Sequence, residues 1–256
     1  MLRSHDILCV RAANPGPFTL SGTNTWLVGR APAWLIDPGP LEDGHMRRVR
    51  GAIVARGGLG GIALTHGHRD HSEAAAALRA EHGAPLAAAR GEADVMLAAG
   101  VRFGPLQAVP TPGHAPDHVA FVGAGACFTG DAVLGQGSVF ISPDEGAMAA
   151  YLRALEGLRR REDFSVICPG HGPVVWEAKA KLQEYLEHRA ERERALLLAL
   201  DDGRRSVREL LDAAWPEVPL PLRGAARATL AAHLDKLGSE GRLPAGVERP
   251  AGGAGA

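Results

Sequence analysis

Leu64-Thr65-His66-Gly67-His68-Arg69-Asp70-His71 decides how this chain is read. Three imidazoles and one carboxylate fall within six residues, directly after the apolar run Ile62-Ala63-Leu64. That run reads as a short buried strand, so the cluster sits where a strand ends and the chain turns. Neutral imidazole is the commonest metal ligand, and carboxylate is the oxygen donor that joins it at zinc. If the turn stays extended, His66 and His68 point the same way and share one ion. Asp70 and His71 then project to the other side, where a second ion fits. A plain solvated loop rarely gathers four ligand-type side chains with only Gly67 and Arg69 as spacers.

Outward from this stretch, short apolar runs alternate with amphipathic ones. Ile7 to Val10, Thr25 to Gly29 and Ala33 to Ile36 read as strands, and Asp37-Pro38-Gly39 ends the third in a turn. Asp37 is placed to take the free ring nitrogen of a metal-bound histidine. Glu42 to Arg56 carries Met46, Val49 and Ile53 at helical spacing. Ser72 to His82 is Ala-rich and helical, with Ser72 as its cap and Gly83 as its stop. Further strands are expected at Pro85 to Ala89, Gln107 to Pro110, His118 to Val122, Cys127 to Thr129 and Phe164 to Cys168. Gly135-Gln136-Gly137-Ser138 reads as a flexible loop, and Met148, Tyr151, Leu152, Leu155 and Leu158 mark another helix. This α/β alternation predicts two packed sheets with helices outside.

Glu177 to Asp202 reads as one long, highly charged helix. Beyond it, Leu210, Leu211, Leu230, Leu234 and Leu237 need a core of their own, and Gly238 to Leu243 suggests a Gly-flanked hairpin. The expected organisation is a catalytic domain over 1–176, a connecting helix over 177–202, a winged-helix-like module over 203–249 and a disordered tail over 250–256. The module, from Arg204 to Arg249, holds eight basic and six acidic residues, too mild an excess for duplex DNA.

Composition excludes several classes. Lys plus Arg is 28 against 29 for Asp plus Glu, a net charge of -1 that advertises no polyanionic partner. Cys9, Cys127 and Cys168 are odd in number and far apart, which suits a reducing compartment rather than a disulfide framework. Met1 to Val10 lacks the apolar core of a signal peptide, and no run approaches membrane length. The expected location is the cytoplasm, with no membrane contact and no obligate protein partner.

His-x-His-x-Asp-His at a strand end resembles the signature of the metallo-β-lactamase superfamily, over roughly the first 175 residues. The resemblance implies an αβ/βα sandwich whose remaining ligands arrive singly from later strand ends. Matching positions are His114 in Thr111-Pro112-Gly113-His114, Asp131 in Phe128-Thr129-Gly130-Asp131 and His171 in Cys168-Pro169-Gly170-His171-Gly172. The implied metals are two Zn2+ per chain, with iron or manganese as alternatives. His66, His68 and His114 would hold the first, Asp70, His71 and His171 the second, and Asp131 would bridge them. The reaction would use a hydroxide between the ions, held in line by Asp70. A bridging carboxylate at Asp131 argues against lactam hydrolysis, and His68 argues against the oxygen-reducing flavodiiron branch.

The stretch Asn14 to Thr25, the Thr65 to His71 motif, Tyr185-Leu186-Glu187-His188-Arg189 and Ala232-His233-Leu234-Asp235-Lys236-Leu237 are similar to the lactamase-beta-like protein 2 group. That likeness implies single-stranded RNA as substrate, with Arg69 and Arg189 as phosphate contacts. The alternative is a small acyl thioester or ester, cleaved as by glyoxalase II or an acyl-carrier thioesterase. Lys179, Lys181 and Lys236 are the only lysines, so nothing matches the cationic glutathione grip of glyoxalase II. An iron persulfide dioxygenase, a β-lactamase and a winged-helix nucleic-acid binder stand further off.

Overall fold

The computed structural model describes residues 6–250. Among these residues the chain forms two sheets. The first has strand order β1 (Ile7–Arg11), β2 (Asn24–Val28), β3 (Ala33–Ile36), β4 (Leu59–Ala63), β5 (Leu86–Ala88), β6 (Val95–Met96). Its first three strands pair antiparallel and its last four pair parallel. The second runs β11 (Val166–Pro169), β10 (Ala126–Gly130), β9 (Val119–Gly123), β8 (Leu106–Pro110), β7 (Arg102–Phe103). Only the β10–β11 pair in it is parallel.

Side-chain alternation along the strands produces the layers. Trp26 and Val28 of β2, Ile36 of β3, Val119 and Phe121 of β9, Phe128 of β10 and Cys168 of β11 share the core between the sheets. Their neighbours face outward: Leu27 and Leu35 meet Met46, Val49 and Ile53 of α1 (Asp43–Ala55) and Leu78 of α3 (Ala75–His82). Ala120, Cys127 and Ile167 meet Met148, Tyr151 and Leu155 of α4 (Ala147–Arg159) and Leu182 of α5 (Ala178–Asp201). Each fully buried Leu or Phe adds about 1.5–3 kcal/mol of apolar transfer. The expected αβ/βα sandwich is the observed one.

Sequence pattern misses β6 and β7 and starts β4 late, because Leu59-Gly60-Gly61 looks like a turn. Those glycines make room for aromatic packing: the Trp34 and Phe103 rings meet at 4.9 Å, edge to face. A Cβ on Gly61 would come within 2.5 Å of the Phe103 ring. The flat approach there is steric, not conformational.

After α5 the chain builds a separate core. Ser206 and Glu209 form a capping box that starts α6 (Val207–Ala214), and a 3₁₀ turn (Leu220–Leu222) leads into α7 (Arg223–Ser239). Leu196 and Leu200 of α5 pack with Leu210, Leu211, Trp215, Leu230, Leu234 and Leu237. The helices are as expected; the hairpin is not. Gly238 and Ser239 end α7, and Gly241 to Leu243 continue as turn and irregular chain with no strand pairing. The last turns of α5 belong to this core, so the helix joins the two units rather than standing between them. The proposed disordered tail, apart from Pro250, lies outside the described residues, as do the first five residues of the N-terminus.

Candidate metal centre

Four strand ends converge on one edge of the sandwich. β4 delivers Thr65 and His66, and β8, β10 and β11 end just before His114, Asp131 and His171. The turn after β4 does not stay extended. His68 precedes a single helical turn, α2 (Arg69–Ser72), which swings Asp70 and His71 away from His66 and His68. Ser72 does not cap α3; its hydroxyl donates back to the carbonyls of Gly67 and His68 and so braces the motif.

The seven expected residues meet in two groups. His66 Nε2 and His114 Nε2 each stand 3.0 Å from His68 Nδ1. His71 Nε2 lies 3.2 Å from His171 Nε2, and Asp70 Oδ2 is 3.3 Å from His171 and 3.4 Å from His71. Asp131 lies between the groups. Its Oδ1 faces His71 at 3.5 Å and His171 at 3.4 Å, while Oδ2 faces His114 at 3.6 Å. The buried Oδ1 accepts no hydrogen bond. A ligand atom from each member of three triads, His66/His68/His114, His66/His71/Asp131 and Asp70/His71/His171, lies within 4.8 Å of the others. Ring nitrogens aimed at one another around an unsatisfied carboxylate oxygen are the donor set a divalent cation needs. Gly170 keeps the space open: a Cβ there would meet Asp131 Oδ1 at 2.6 Å.

Protonation differs across the cluster. Burial pushes His66 well down and His114 to about 4, so these rings stay neutral and free to donate a lone pair. Burial also works against charge on His71 and His171. There Asp131, aided by Asp37 at His71 and by Asp70 at His171, outweighs it; His71 rises well above its ordinary value and His171 to about 9. Burial would raise Asp131, but His71 and His171 hold it well below the carboxylate range.

Surrounding groups fix the ring orientations. Asp37, in the left-handed region at φ 50, lies 2.8 Å from His71 Nδ1 and accepts from the Thr65 amide at 2.8 Å and its hydroxyl at 2.7 Å. His118 is the residue that sequence reading passed over as a mere strand start. It is buried, stacks on His66 with centroids 4.9 Å apart, lies 2.8 Å from Thr111 Oγ1 through Nδ1, and accepts from the Asp131 amide at 3.0 Å. Its only sequence signal was a histidine four residues after His114. The Asn14 to Thr25 stretch also has a physical reason. Asn24 donates to the carbonyls of Pro169 and Gly172 on either side of His171, and Thr23 donates to Asp70 at 3.2 Å.

A cleft of about 600 Å3 opens beside His114 and Asp131. Phe18, Leu20, Leu134, Val139 and Phe140 form its apolar floor. Trp215, Val218 and Leu222 of the C-terminal unit line it too, with Glu184, Glu187, Glu191, Arg189 and Arg192 of α5. Gly135 to Ser138 is held here rather than loose; the Gly135 amide donates to His171 O at 2.9 Å and Gly137 O accepts from Tyr185 at 3.0 Å. The two expected phosphate contacts are placed otherwise. The Arg69 side chain is 87% exposed on α2 and pairs with Glu73. Arg189 is buried, donates to Ser138 Oγ at 2.9 Å and to Val139 O, and leans on the Tyr151 ring.

No protein-family model matches the chain. It is 35% identical over 215 residues to an atrochrysone carboxyl ACP thioesterase of Aspergillus chevalieri, covering 77% of this chain and 67% of that protein. It is 28% identical over 269 residues to a beta-lactamase-like protein 2 homolog of Drosophila melanogaster, covering 93% and 89%. Among solved structures, a beta-lactamase domain protein from Burkholderia ambifaria superposes with a TM-score of 0.79 at 18% identity, over 92% and 88% of the two chains. A protein solved in a di-iron-bound form gives a TM-score of 0.52 at 26% identity, over 67% of this chain and 96% of the other.

Proposed function

Because this chain belongs to the metallo-β-lactamase superfamily of metal-dependent hydrolases, we propose that it cleaves a small acyl thioester or ester with two divalent cations, zinc foremost. The cleft carries this reading: an apolar floor built on Phe18, Leu20 and Phe140 runs to Asp131 and His114. Such a floor suits an acyl chain or ring and offers nothing to a phosphodiester backbone. Among the described residues that line the cleft, a single-stranded RNA would meet Glu184, Glu187 and Glu191 and two arginines already engaged. Arg189 is spent on Ser138 and Val139, and Arg192 on Glu217 and the Ala214 carbonyl. The relative named as a thioesterase supports the same choice, and the protein with two irons supports a paired site.

When bound, the metal pair supplies a water of near-neutral pKa and polarises the acyl carbonyl. The protein's own residues do the rest. His66, His68 and His114 would hold one ion, with burial keeping His66 and His114 neutral, and Asp70, His71 and His171 would hold the other. Asp131, with Oδ1 toward His71 and His171 and Oδ2 toward His114, would serve both. Asp70 is the most exposed carboxylate of the cluster, its side chain 30% accessible. Its Oδ2, which accepts from Thr23, faces His71 and His171 and would serve the ion, leaving the other oxygen to orient the attacking water and take its proton. The Trp215 wall excludes solvent from the acyl group. The free thiols of Cys9, Cys127 and Cys168 fit a reducing cytoplasmic setting.

Protein purified without chelator should carry about two zinc ions per chain. It should hydrolyse an aromatic acyl thioester at a rate that chelation abolishes and zinc restores, and leave single-stranded RNA intact. Cleavage of RNA with no thioester turnover would reverse the substrate choice. A single tightly held iron per chain would move the chemistry to persulfide oxidation.

A further inference from the structure

His71 and His114 are oriented by different parts of the molecule. The Nδ1 of His71 meets Asp37 at the end of β3, inside the sandwich. The Nδ1 of His114 lies 3.2 Å from the Phe140 carbonyl, and the two rings pack with centroids 4.5 Å apart. Phe140 sits in irregular chain between Leu134 and Gly146, with no sheet or helix to hold it. The side chains that tie this segment down come instead from α5 and α7. The Tyr185 hydroxyl accepts from the Leu134 amide at 2.9 Å and donates to Gly137 O. Arg189 donates to Val139 O, and Thr229 Oγ1 accepts from the Ile141 amide at 3.0 Å. Asp235 accepts from the Gly146 amide at 2.9 Å. The residues on both sides of Phe140 are therefore pinned by the C-terminal helices.

We infer that Arg189 and Thr229 are positioning residues for His114, and that the C-terminal unit shapes the metal centre as well as roofing the cleft. With the Phe140 carbonyl fixed, His114 carries its proton on Nδ1 and turns Nε2 toward His68 and Asp131. Released, the carbonyl swings and the ring loses both its tautomer and its aim. The inference rests on the metal-centre reading above, and binding is the quantity that separates the two.

The experiment uses the full chain, metal-free, titrated with zinc against a competing chelator. His114→Ala identifies which binding step involves that ring. In Thr229→Val the same step should weaken about tenfold, the lower end for partners of metal-bound histidines. The other step should hold within about twofold, and Thr229→Ser should restore wild-type affinity. Arg189→Lys, which keeps the charge but loses the fork, should weaken the same step and serves if the valine variant does not fold. Unchanged affinity in both steps, with only a lower melting temperature of the metal-free protein, would overturn the inference and leave these contacts purely structural. Failure of the wild-type chain to bind zinc would overturn the metal-centre reading itself.

Discussion

At one end of the cluster His66, His68 and His114 meet ring to ring with Asp131 Oδ2 3.6 Å from His114, and burial holds His114 at about 4. At the other end His71 and His171 lie among Asp37, Asp70 and Asp131, and His171 is raised to about 9. At the first end burial lowers His66 and His114; at the second the carboxylates raise His71 and His171. Charge on His71 and His171 balances the carboxylates there, whereas His66 and His114, held low by burial, turn their Nε2 atoms toward His68. Asp131 belongs to both ends, which is why its substitution should matter most.

Asp131→Ala should lower kcat/KM by more than about a hundredfold, beyond the range seen for residues that only orient ligands. The melting temperature of the metal-free protein should hold or fall modestly. Turnover near wild type would mean the two ends work independently. Asp37→Ala acts on one end alone. It should weaken the ion near His71 by about 10–100-fold while the His114 step is spared, as chelator competition will read. Equal weakening of both steps would erase the distinction between the ends.

The contrast also predicts a pH signature for the metal-free protein. His171 has a raised pKa, so its contribution is full below about 6.5 and is lost as pH rises through about 9. His114 is lowered to about 4, so its burial destabilises the fold as pH drops from 6.5 toward that value. Melting temperature in chelator should therefore peak near pH 6.5 and decline on both sides. Saturating zinc should remove the alkaline decline, because metal ions then replace the protons. A flat profile between 6.5 and 9 in chelator would break the assignment of protons to the carboxylate end. Arg69→Gln sets the lower bound. Its ion pair with Glu73 is solvent-exposed, so activity should change by less than about twofold.

Two kinds of information meet in this molecule. The alternation of Trp26, Leu27 and Val28, or of Phe121 and Val122, was legible because a strand sends successive side chains to opposite faces whatever lies beyond it. Helix spacing in Met46, Val49 and Ile53 was legible for the same local reason. So were the ligand types, since imidazole and carboxylate announce their chemistry without a partner. The hairpin expected at Gly238 to Leu243 does not form among the described residues, because glycine spacing permits a hairpin whereas α7 continues to Ser239.

Sequence by itself determined the layers of the sandwich, the helices of the C-terminal unit and the imidazole and carboxylate side chains of the candidate metal centre, all of which follow from periods of two or 3.6 residues and from side-chain chemistry. Only the tertiary structure decided that His118 accepts from the Asp131 amide, that His71 meets His171 across a hundred residues, and that Arg189 ties down Ser138. Those outcomes depend on which strand ends and helices are brought together. Two residues distant in the chain acquire a joint role only when packing places their polar atoms within hydrogen-bond reach, and no local period encodes that distance.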